Sequence, residues 1–213
     1  MLIINLVLSM EFQLVAGNAA LDLTNTLDWR YDPAHLVDLI PDYSRFLAFC
    51  QQAGVIAPQD ARYLINHTSG ALAKRALGRV LDLRETLYAL FLCAVRGERP
   101  SDRIIKRLNV FLNEASSVNA LSWNDGRFRR VRAAPANSPL EPLWRILEVG
   151  ADLLSSPEVE KVRECGEESC KWLFLDTSRN RARRWCDMSI CGNRAKARRY
   201  YLRTRNPELL RTE

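Results

Sequence analysis

Four of the six cysteines fall within 27 residues, in two pairs with the same spacing. Cys165 and Cys170 are separated by four residues, as are Cys186 and Cys191, and fifteen residues lie between the pairs. Zinc binds four ligands at tetrahedral corners about 2.3 Å from the metal, and two short turns that each supply two thiolates meet this need. The spacing therefore predicts one structural zinc ion on these four cysteines, with no position open for a substrate.

Two disulfides, or unrelated buried thiols, are the alternatives to this site. Clustered cysteines bind metal more often than they form disulfides in a reducing compartment, and we expect a cytoplasmic protein. The apolar stretch 2–10 has no Lys or Arg before it and is much shorter than the roughly 20 residues of a spanning helix. We therefore expect neither secretion nor a membrane partner. This stretch is either a buried strand or an extension preceding initiation at Met10.

Around the predicted zinc, Trp172, Phe174 and Trp185 are expected to form a small core. Gly166 and Gly192 directly follow two of the cysteines. A residue without Cβ lets the backbone turn tightly, and we expect these glycines to direct their N–H groups toward sulfur. Zinc binding contributes roughly 10–16 kcal/mol to the folding of such small units. Metal loss is thus predicted to unfold the C-terminal unit and to spare the remainder.

The rest of the chain has the periodicity of a mainly α fold with a small β-hairpin. Helices are predicted over 18–28, 42–53, from 58, over 71–96, from 101 and over 140–154, with a strand at 11–15. The turn sequence Asn124-Asp-Gly126 predicts the hairpin. Ser155-Ser156-Pro157 is the predicted domain boundary, which gives a helical domain over 1–155 and a zinc-finger domain over 156–213.

The helical domain offers few groups that could carry out chemistry. His35 and His67 are the only histidines and lie far apart in the sequence. The isolated acids are interpreted as helix caps or solvated charges; they are Asp22, Asp28, Asp38 and Glu85. We predict no catalytic residue and no enzyme. A deep pocket gathering Asp22, Asn25, Arg30 or His67 would instead indicate an active site or an effector site.

The positive charge is concentrated in one segment. The whole chain carries a net charge of +6, with 47% hydrophobic and 26% charged residues, a composition that excludes collagen-like, coiled-coil and wholly disordered chains. Residues 171–205 hold eleven Lys and Arg against two Asp, a local net charge of +9, and nine of the eleven are Arg. Arginine suits bidentate contacts with phosphate and guanine. The segment therefore predicts binding to nucleic acid, with a merely solvated basic face as the alternative.

Two helices are predicted to present these charges. One, over 179–185 with Thr177 or Ser178 as cap, carries Arg179, Arg181, Arg183 and Arg184. The other, over 194–205 with Asn193 as cap, carries two ridges: Arg194, Arg198 and Arg205, and Lys196, Arg199 and Arg203. Ala195 and Leu202 are expected to pack on the zinc core. The residues expected to cap helices or support the ligands are Asp176, Ser178, Gly192 and Asn193.

The stretch Cys186-Asp-Met-Ser-Ile-Cys191-Gly192-Asn193-Arg194 resembles the CGNR zinc-finger family of bacterial proteins. Upstream, the stretch from Phe12 to Thr26 resembles the opening of the helical ABATE domain that precedes this finger. The resemblance implies a stress-associated bacterial transcription regulator whose zinc-dependent C-terminal region binds DNA.

The leading hypothesis is a regulator whose finger binds duplex DNA through phosphates while the helical domain forms a homodimer or senses a small-molecule effector. An RNA-binding zinc protein is the first alternative, because exposed aromatic residues can stack on unpaired bases. A zinc-stabilised protein-interaction module is the second.

Overall fold

The computed structural model describes residues 11–117, 119–132 and 138–205, except for the side chains at 119, 130–132, 202, 203 and 205. In this part the chain forms seven α-helices and three two-stranded antiparallel sheets, which confirms the predicted mainly α fold. The apolar stretch 2–10 lies outside the described residues. No helix in the described ranges combines the length and apolar character that a membrane crossing needs.

Six helices belong to the first part of the chain: α1 (Ala19–Thr24), α2 (Tyr43–Gln52), α3 (Pro58–His67), α4 (Gly70–Arg96), α5 (Asp102–Ser116) and α6 (Glu141–Ser155). The seventh is α7 (Asn193–Arg205). The strands pair as β1 (Leu27–Asp28) with β2 (Val37–Asp38), β3 (Asn119–Asn124) with β4 (Arg127–Arg132), and β5 (Val162–Glu164) with β6 (Leu173–Leu175). Two predictions differ: α1 ends four residues early, at Thr24, and residues 11–15 form no strand.

Local sequence signals fix several helix ends. The Asp42 carboxylate accepts a hydrogen bond from the N–H of Arg45 at 2.8 Å, so it caps α2 as predicted. Gly97 follows the last residue of α4 with φ +63°, a left-handed conformation that glycine adopts without strain. These short-range signals explain why the helix boundaries follow the sequence so closely.

Helix α4 is the centre of the core, and α1, α2, α5 and α6 all pack against it. Val80, Leu83 and Leu87 on its inner face are fully buried, whereas Leu72, predicted in the same stripe, is 48% exposed. Helix α6 crosses closely at Gly150, where an added Cβ would lie 3.0 Å from Leu87 Cδ2. The glycine therefore permits the close approach of α6 to α4.

The predicted hairpin consists of β3 and β4, with Asn124 paired to Arg127 and Trp123 paired to Phe128. Asp125 and Gly126 form its two-residue turn, with φ of +52° and +75°. Positive φ at both turn residues matches the right-handed twist of the two strands, which accounts for the Asp-Gly sequence at this position.

The segment after the predicted boundary shares its core with the helices. Leu173 and Phe174 of β6 are fully buried and belong to the same apolar cluster as α1 and α4. The Asn25 side chain, at the end of α1, hydrogen-bonds both the N–H and the carbonyl of Leu173 at 2.9 Å. The N–H of Leu175 donates to the carbonyl of Ala16 at 2.9 Å. The boundary at residue 155 stays a prediction, and the packing across it is extensive.

Candidate metal centre and basic surface

The first cysteine pair lies in the turn between β5 and β6. Cys165 directly follows β5, and its N–H donates to the carbonyl of Trp172 at 2.8 Å. The N–H of Cys170 donates to the carbonyl of Glu167 at 3.0 Å, and Lys171 then adopts φ +60° to reverse the chain. The tight turn thus brings the two cysteines of this pair together.

The second pair lies where the chain enters α7. Cys191 belongs to a single π-helical turn, Met188–Gly192, that continues into α7. The Sγ atom of Cys186 is 3.6 Å from that of Cys170 and 3.6 Å from that of Cys191. All four sulfurs lie within 4.8 Å of one another, and all four cysteines are buried.

These distances fit a metal ion and exclude disulfides. Four sulfurs placed 2.3 Å from one tetrahedral centre are about 3.8 Å apart, whereas a disulfide brings two sulfurs to about 2.05 Å. The cysteines are free thiols. The sulfur cluster is therefore suited to hold one metal ion with four protein ligands.

The charge on the sulfurs leads to the same conclusion. Hydrogen bonding with the Cys170 thiol and its neighbours lowers the pKa of Cys165. The same contact with Cys165 raises the pKa of Cys170 well above its ordinary value. The pKa of Cys191 is also lowered and that of Cys186 is raised, so the four sulfurs do not all ionise together without a cation. Four thiolates together require a cation among them, and metal binding would release the remaining protons.

The aromatic residues pack around the cluster as predicted, with Trp172 and Phe174 buried and Trp185 partly buried against the core. The glycine N–H groups donate to carbonyls instead of sulfur: Gly166 to Arg184 at 2.8 Å and Gly192 to Asp187 at 3.1 Å. A Cβ at Gly166 would lie 3.2 Å from the same Arg184 carbonyl oxygen, so a larger residue would require that carbonyl to shift by a few tenths of an ångström. Among the described residues, the N–H of Cys186 donates to sulfur, reaching Cys165 Sγ at 3.4 Å.

Comparison with known families agrees with this architecture. Residues 161–204 match the CGNR zinc finger, and residues 17–157 match ABATE, described as "Putative stress-induced transcription regulator". The second match covers well over half of the chain. The chain belongs to the ABATE family. Its C-terminal part is a CGNR zinc finger that contains all four clustered cysteines. No curated protein matches the sequence.

The helix predicted over 179–185 of the CGNR finger is wrong, because the chain there forms turns and irregular structure. The Asp176 carboxylate accepts hydrogen bonds from the N–H groups of Ser178 and Arg183, each at 3.0 Å, and from the Ser178 hydroxyl. Arg181 has φ +48°, which a helix does not allow. Asp176 and Ser178 therefore organise a loop, since their side chains compete with the helical hydrogen bonds.

Helix α7 is also capped differently from the prediction. It is Asp187, before the π-helical turn Met188–Gly192 that leads into α7, that accepts hydrogen bonds from the N–H groups of Ser189 and Ile190, at 2.6 and 3.2 Å. Asn193 lies one turn later, where its side-chain amide donates to the carbonyl of Ser189 at 2.8 Å. The sequence does contain a signal for this cap, because Asp is a preferred cap residue and Asp187 lies two and three residues before the residues whose N–H groups it accepts from.

Arg183, predicted to contact nucleic acid, is held inside the fold. Its guanidinium donates to the carbonyls of Trp185 at 3.0 Å, Val15 at 3.2 Å and Cys186. It also lies 4.4 Å above the ring of Phe174. Arg183 therefore joins the CGNR loop to the stretch just before the ABATE match, which begins at residue 17.

Two members of the first predicted ridge of α7, Arg194 and Arg198, contact the rest of the protein. Arg198 pairs with the buried carboxylate of Glu167 and with Glu168, whose carboxylate is 3.0 Å away. Arg194 donates to the Ser169 hydroxyl at 3.3 Å and stacks 4.7 Å above the ring of Trp29. Arg194 and Arg198 attach α7 to the first cysteine turn, because Glu167 and Ser169 lie between Cys165 and Cys170. The side chain of Leu202, predicted to pack on the zinc core with Ala195, lies outside the described residues. The sequence prediction missed Glu167 as a partner.

The remaining predicted contacts are exposed. Lys196 and Arg199 on the outer face of α7, and Arg179 and Arg181 in the loop, form no ion pair with another described residue. Arg184 is exposed and lies 5.5 Å from the Trp185 ring centre. The side chains of Arg203 and Arg205 lie outside the described residues. We define the outer basic surface as Lys196, Arg199, Arg179, Arg181 and Arg184.

The acids of the ABATE segment make more contacts within the protein than the sequence predicted. Asp38 forms two 2.8 Å hydrogen bonds with the buried guanidinium of Arg84. Asp22 and Asn25 line a cavity of about 10 Å³, which has room for about one water molecule. His35 and His67 are exposed and contact groups within their own turns.

Asp22 is a buried acid, not a solvated one. It is 7% exposed, and its carboxylate accepts a hydrogen bond from the N–H of Ala16 at 3.0 Å. Burial raises the pKa of Asp22 to about 6, and the hydrogen bond from Ala16 opposes this increase only in part. The folded chain therefore retains this proton to a higher pH than the unfolded chain does.

The contribution of Asp22 to stability is expected to fall as the pH rises from about 4 to 6.5 and then to level off, because the folded state binds the Asp22 proton more tightly. The neutral Asp22→Asn variant should lose this dependence and gain about 1–3 kcal/mol in unfolding free energy at pH 7.5. Urea unfolding at several pH values measures both effects. Asp152→Asn, at an exposed acid of α6, is the matched control. An unchanged pH profile in Asp22→Asn would contradict the assignment.

Proposed function

We propose that this ABATE-family protein is a transcription regulator whose CGNR finger binds duplex DNA through phosphates and is stabilised by one structural zinc ion on Cys165, Cys170, Cys186 and Cys191. The metal identity is supported by four buried thiolate donors, which are typical of structural zinc sites. A cytoplasmic location, where these thiols stay reduced, is part of the proposal.

The observation that carries the proposal is the outer basic surface. Lys196 and Arg199 lie three residues apart on one face of α7, with no acidic partner in the described part of the chain. The nearby acidic residues pair instead with the first predicted ridge of α7, as Glu167 does with Arg198. Unpaired arginines and lysines side by side on an exposed helix repel one another, and a phosphate backbone neutralises them.

The test measures binding of a labelled duplex DNA to the zinc-loaded chain over a range of salt concentrations. The variant Lys196→Ala/Arg199→Ala should weaken binding on the order of tenfold and reduce the slope of log affinity against log salt by about 2. Arg103→Ala/Lys106→Ala removes the same charges from exposed positions, also three residues apart, on α5 and is the matched control. Arg198→Ala is unsuitable, because it would leave the buried Glu167 carboxylate without its partner.

Absence of binding at low salt would contradict the proposal. The same holds for equal losses in the two double variants, since net charge alone would then explain the affinity. Both variants leave the described ion pairs intact, so unfolding should not obscure the result.

RNA binding is the second candidate, favoured by the aromatic residues of α7. Tyr200 is 72% exposed and Tyr201 is 53% exposed, as side chains that stack on unpaired bases need to be. Competition between single-stranded RNA and duplex DNA separates the candidates. Tyr200→Ala should weaken RNA binding more than duplex binding.

The ABATE segment would sense a small molecule or form a homodimer in this proposal, and we propose no enzymatic activity. A cavity of about 740 Å³ between α4, α5 and the start of α6 supports an effector site, since ligand pockets usually measure 300–1,000 Å³. Leu72, Arg75 and Glu114 are among its lining residues.

A further inference from the structure

Trp29 lies in a backbone conformation that bulky residues rarely adopt. It directly follows β1 and has φ +53°, in the left-handed region that favours glycine. Such a conformation costs free energy and persists only where the surrounding contacts hold it, and residues of this kind cluster at functional positions. The contacts of the Trp29 side chain therefore indicate what the residue does.

Trp29 contacts both parts of the chain. Its ring centre lies 4.7 Å from the guanidinium carbon of Arg194, in the first turn of α7. Within the ABATE segment its ring centre lies 5.3 Å from that of His35, which the Asp32 carboxylate holds at 2.7 Å. A guanidinium and an indole ring attract one another, because the face of the ring is negative. The contact between Trp29 and Arg194 thus joins the ABATE segment to the basic helix of the finger.

The two residues after Trp29 are anchored to α4. The Arg30 guanidinium pairs with the Glu85 carboxylate and lies 3.9 Å from the ring centre of Tyr88. The hydroxyl groups of Tyr31 and Tyr88 are 2.8 Å apart. Since α4 is the centre of the helical core, this turn connects the core to the start of α7.

Arg194 points away from the outer basic surface. At 100° per residue it lies about 140–160° around α7 from Lys196 and Arg199. It shares its side of the helix with Arg198, which pairs with Glu167 in the first cysteine turn. Arg194 and Arg198 therefore attach α7 at two points, and these attachments set the direction in which the outer basic surface faces.

We infer that Trp29 is a positioning residue for DNA binding, which holds Arg194 and so orients the outer basic surface of α7 relative to the helical core. The inference rests on the proposed function, and it assigns Arg194 to this contact instead of to a phosphate. A helix that can pivot must be ordered when DNA binds, and the ordering lowers the affinity. Because no phosphate contact is lost, the salt dependence of binding stays the same.

The experiment measures the affinity of the full zinc-loaded chain for a labelled duplex over a range of salt concentrations. Trp29→Gly removes the ring, and glycine adopts φ +53° without strain. Trp29→Gly and Arg194→Ala should each weaken binding about fivefold, with an unchanged slope of log affinity against log salt. The double variant should also lose about fivefold, because the two changes remove the same contact.

A conservative variant and a control complete the set. Trp29→Phe keeps an aromatic face for the guanidinium and should bind within about twofold of the unchanged chain. Tyr63→Ala removes a ring that stacks on His67 within α3 and should leave binding unchanged. Amide hydrogen exchange reads the helix directly: it should become faster over 195–200 in Trp29→Gly, while β5 and β6 keep their protection.

Three results would overturn the inference. A slope reduced by about 1 in Arg194→Ala would show that this arginine contacts a phosphate. Losses that multiply in the double variant would show that Trp29 and Arg194 act separately. If Lys196→Ala/Arg199→Ala weakens binding while the Trp29 and Arg194 variants bind normally, the finger proposal stands and the positioning proposal fails. If the unchanged chain binds no duplex, the proposed function fails and the positioning proposal fails with it.

Discussion

Removal of the metal with EDTA is expected to abolish the cooperative thermal transition of the whole chain, helices included. The reason is the shared core: Leu173 and Phe174 beside the cysteine cluster are fully buried against the helical segment. Structural zinc contributes roughly 10–16 kcal/mol, which matches or exceeds the 5–15 kcal/mol total stability of an ordinary domain. Circular dichroism during heating, with and without EDTA and after zinc is restored, measures the effect.

The sequence alone predicted a different result, in which the C-terminal unit unfolds and the helices survive. The two outcomes are easily separated, since survival would leave most of the helical signal with its own transition. Cys191→Ser should reproduce the effect of EDTA and reduce zinc content below one ion per chain. Cys93→Ser is the matched control, because Cys93 is a half-buried free thiol outside the cluster.

The cysteine cluster could be predicted because the information is local. Each pair spans only six residues, and a turn of that length keeps its two ends together. The helix ends at Asp42 and Gly97 were predictable for the same reason, since a cap acts within one turn. The turn of the hairpin at Asp125 and Gly126 is equally local.

The orientation of the arginines could not be predicted in this way. Arg198 faces inward because Glu167, 31 residues earlier, lies buried beneath it. Arg183 reaches Val15, which is 168 residues away in the sequence. The sequence shows how many arginines there are and how they are spaced. Only tertiary packing decides which guanidinium groups form hydrogen bonds with a carboxylate or a carbonyl.

The helix predicted at 179–185 fails because of contacts that helix propensity does not reveal. Asp176 has two competing uses, as a cap for a following helix or as the acceptor that closes a loop onto Arg183. The guanidinium contacts of Arg183 favour the loop, because they hold the chain against Val15 and Trp185. Long-range contacts have here decided between two locally acceptable structures.

Arg183→Ala is therefore expected to act on stability rather than on DNA affinity. The change removes charge-assisted hydrogen bonds to the carbonyls of Val15, Trp185 and Cys186, and the stacking on Phe174. Hydrogen bonds to charged groups contribute about 1.5–3 kcal/mol each, and freed carbonyls near the surface regain water. The unfolding free energy should fall by about 2–4 kcal/mol, with a melting temperature lower by roughly 10 °C.

Arg179→Ala is the matched control, since Arg179 lies in the same loop and is exposed. Its stability should change by less than about 0.5 kcal/mol, as for ordinary surface positions, while its DNA affinity falls. Below its melting temperature, folded Arg183→Ala protein should bind duplex DNA as the unchanged chain does. The opposite pattern, a stable Arg183→Ala that no longer binds DNA, would return Arg183 to the nucleic-acid surface and contradict its place in the fold.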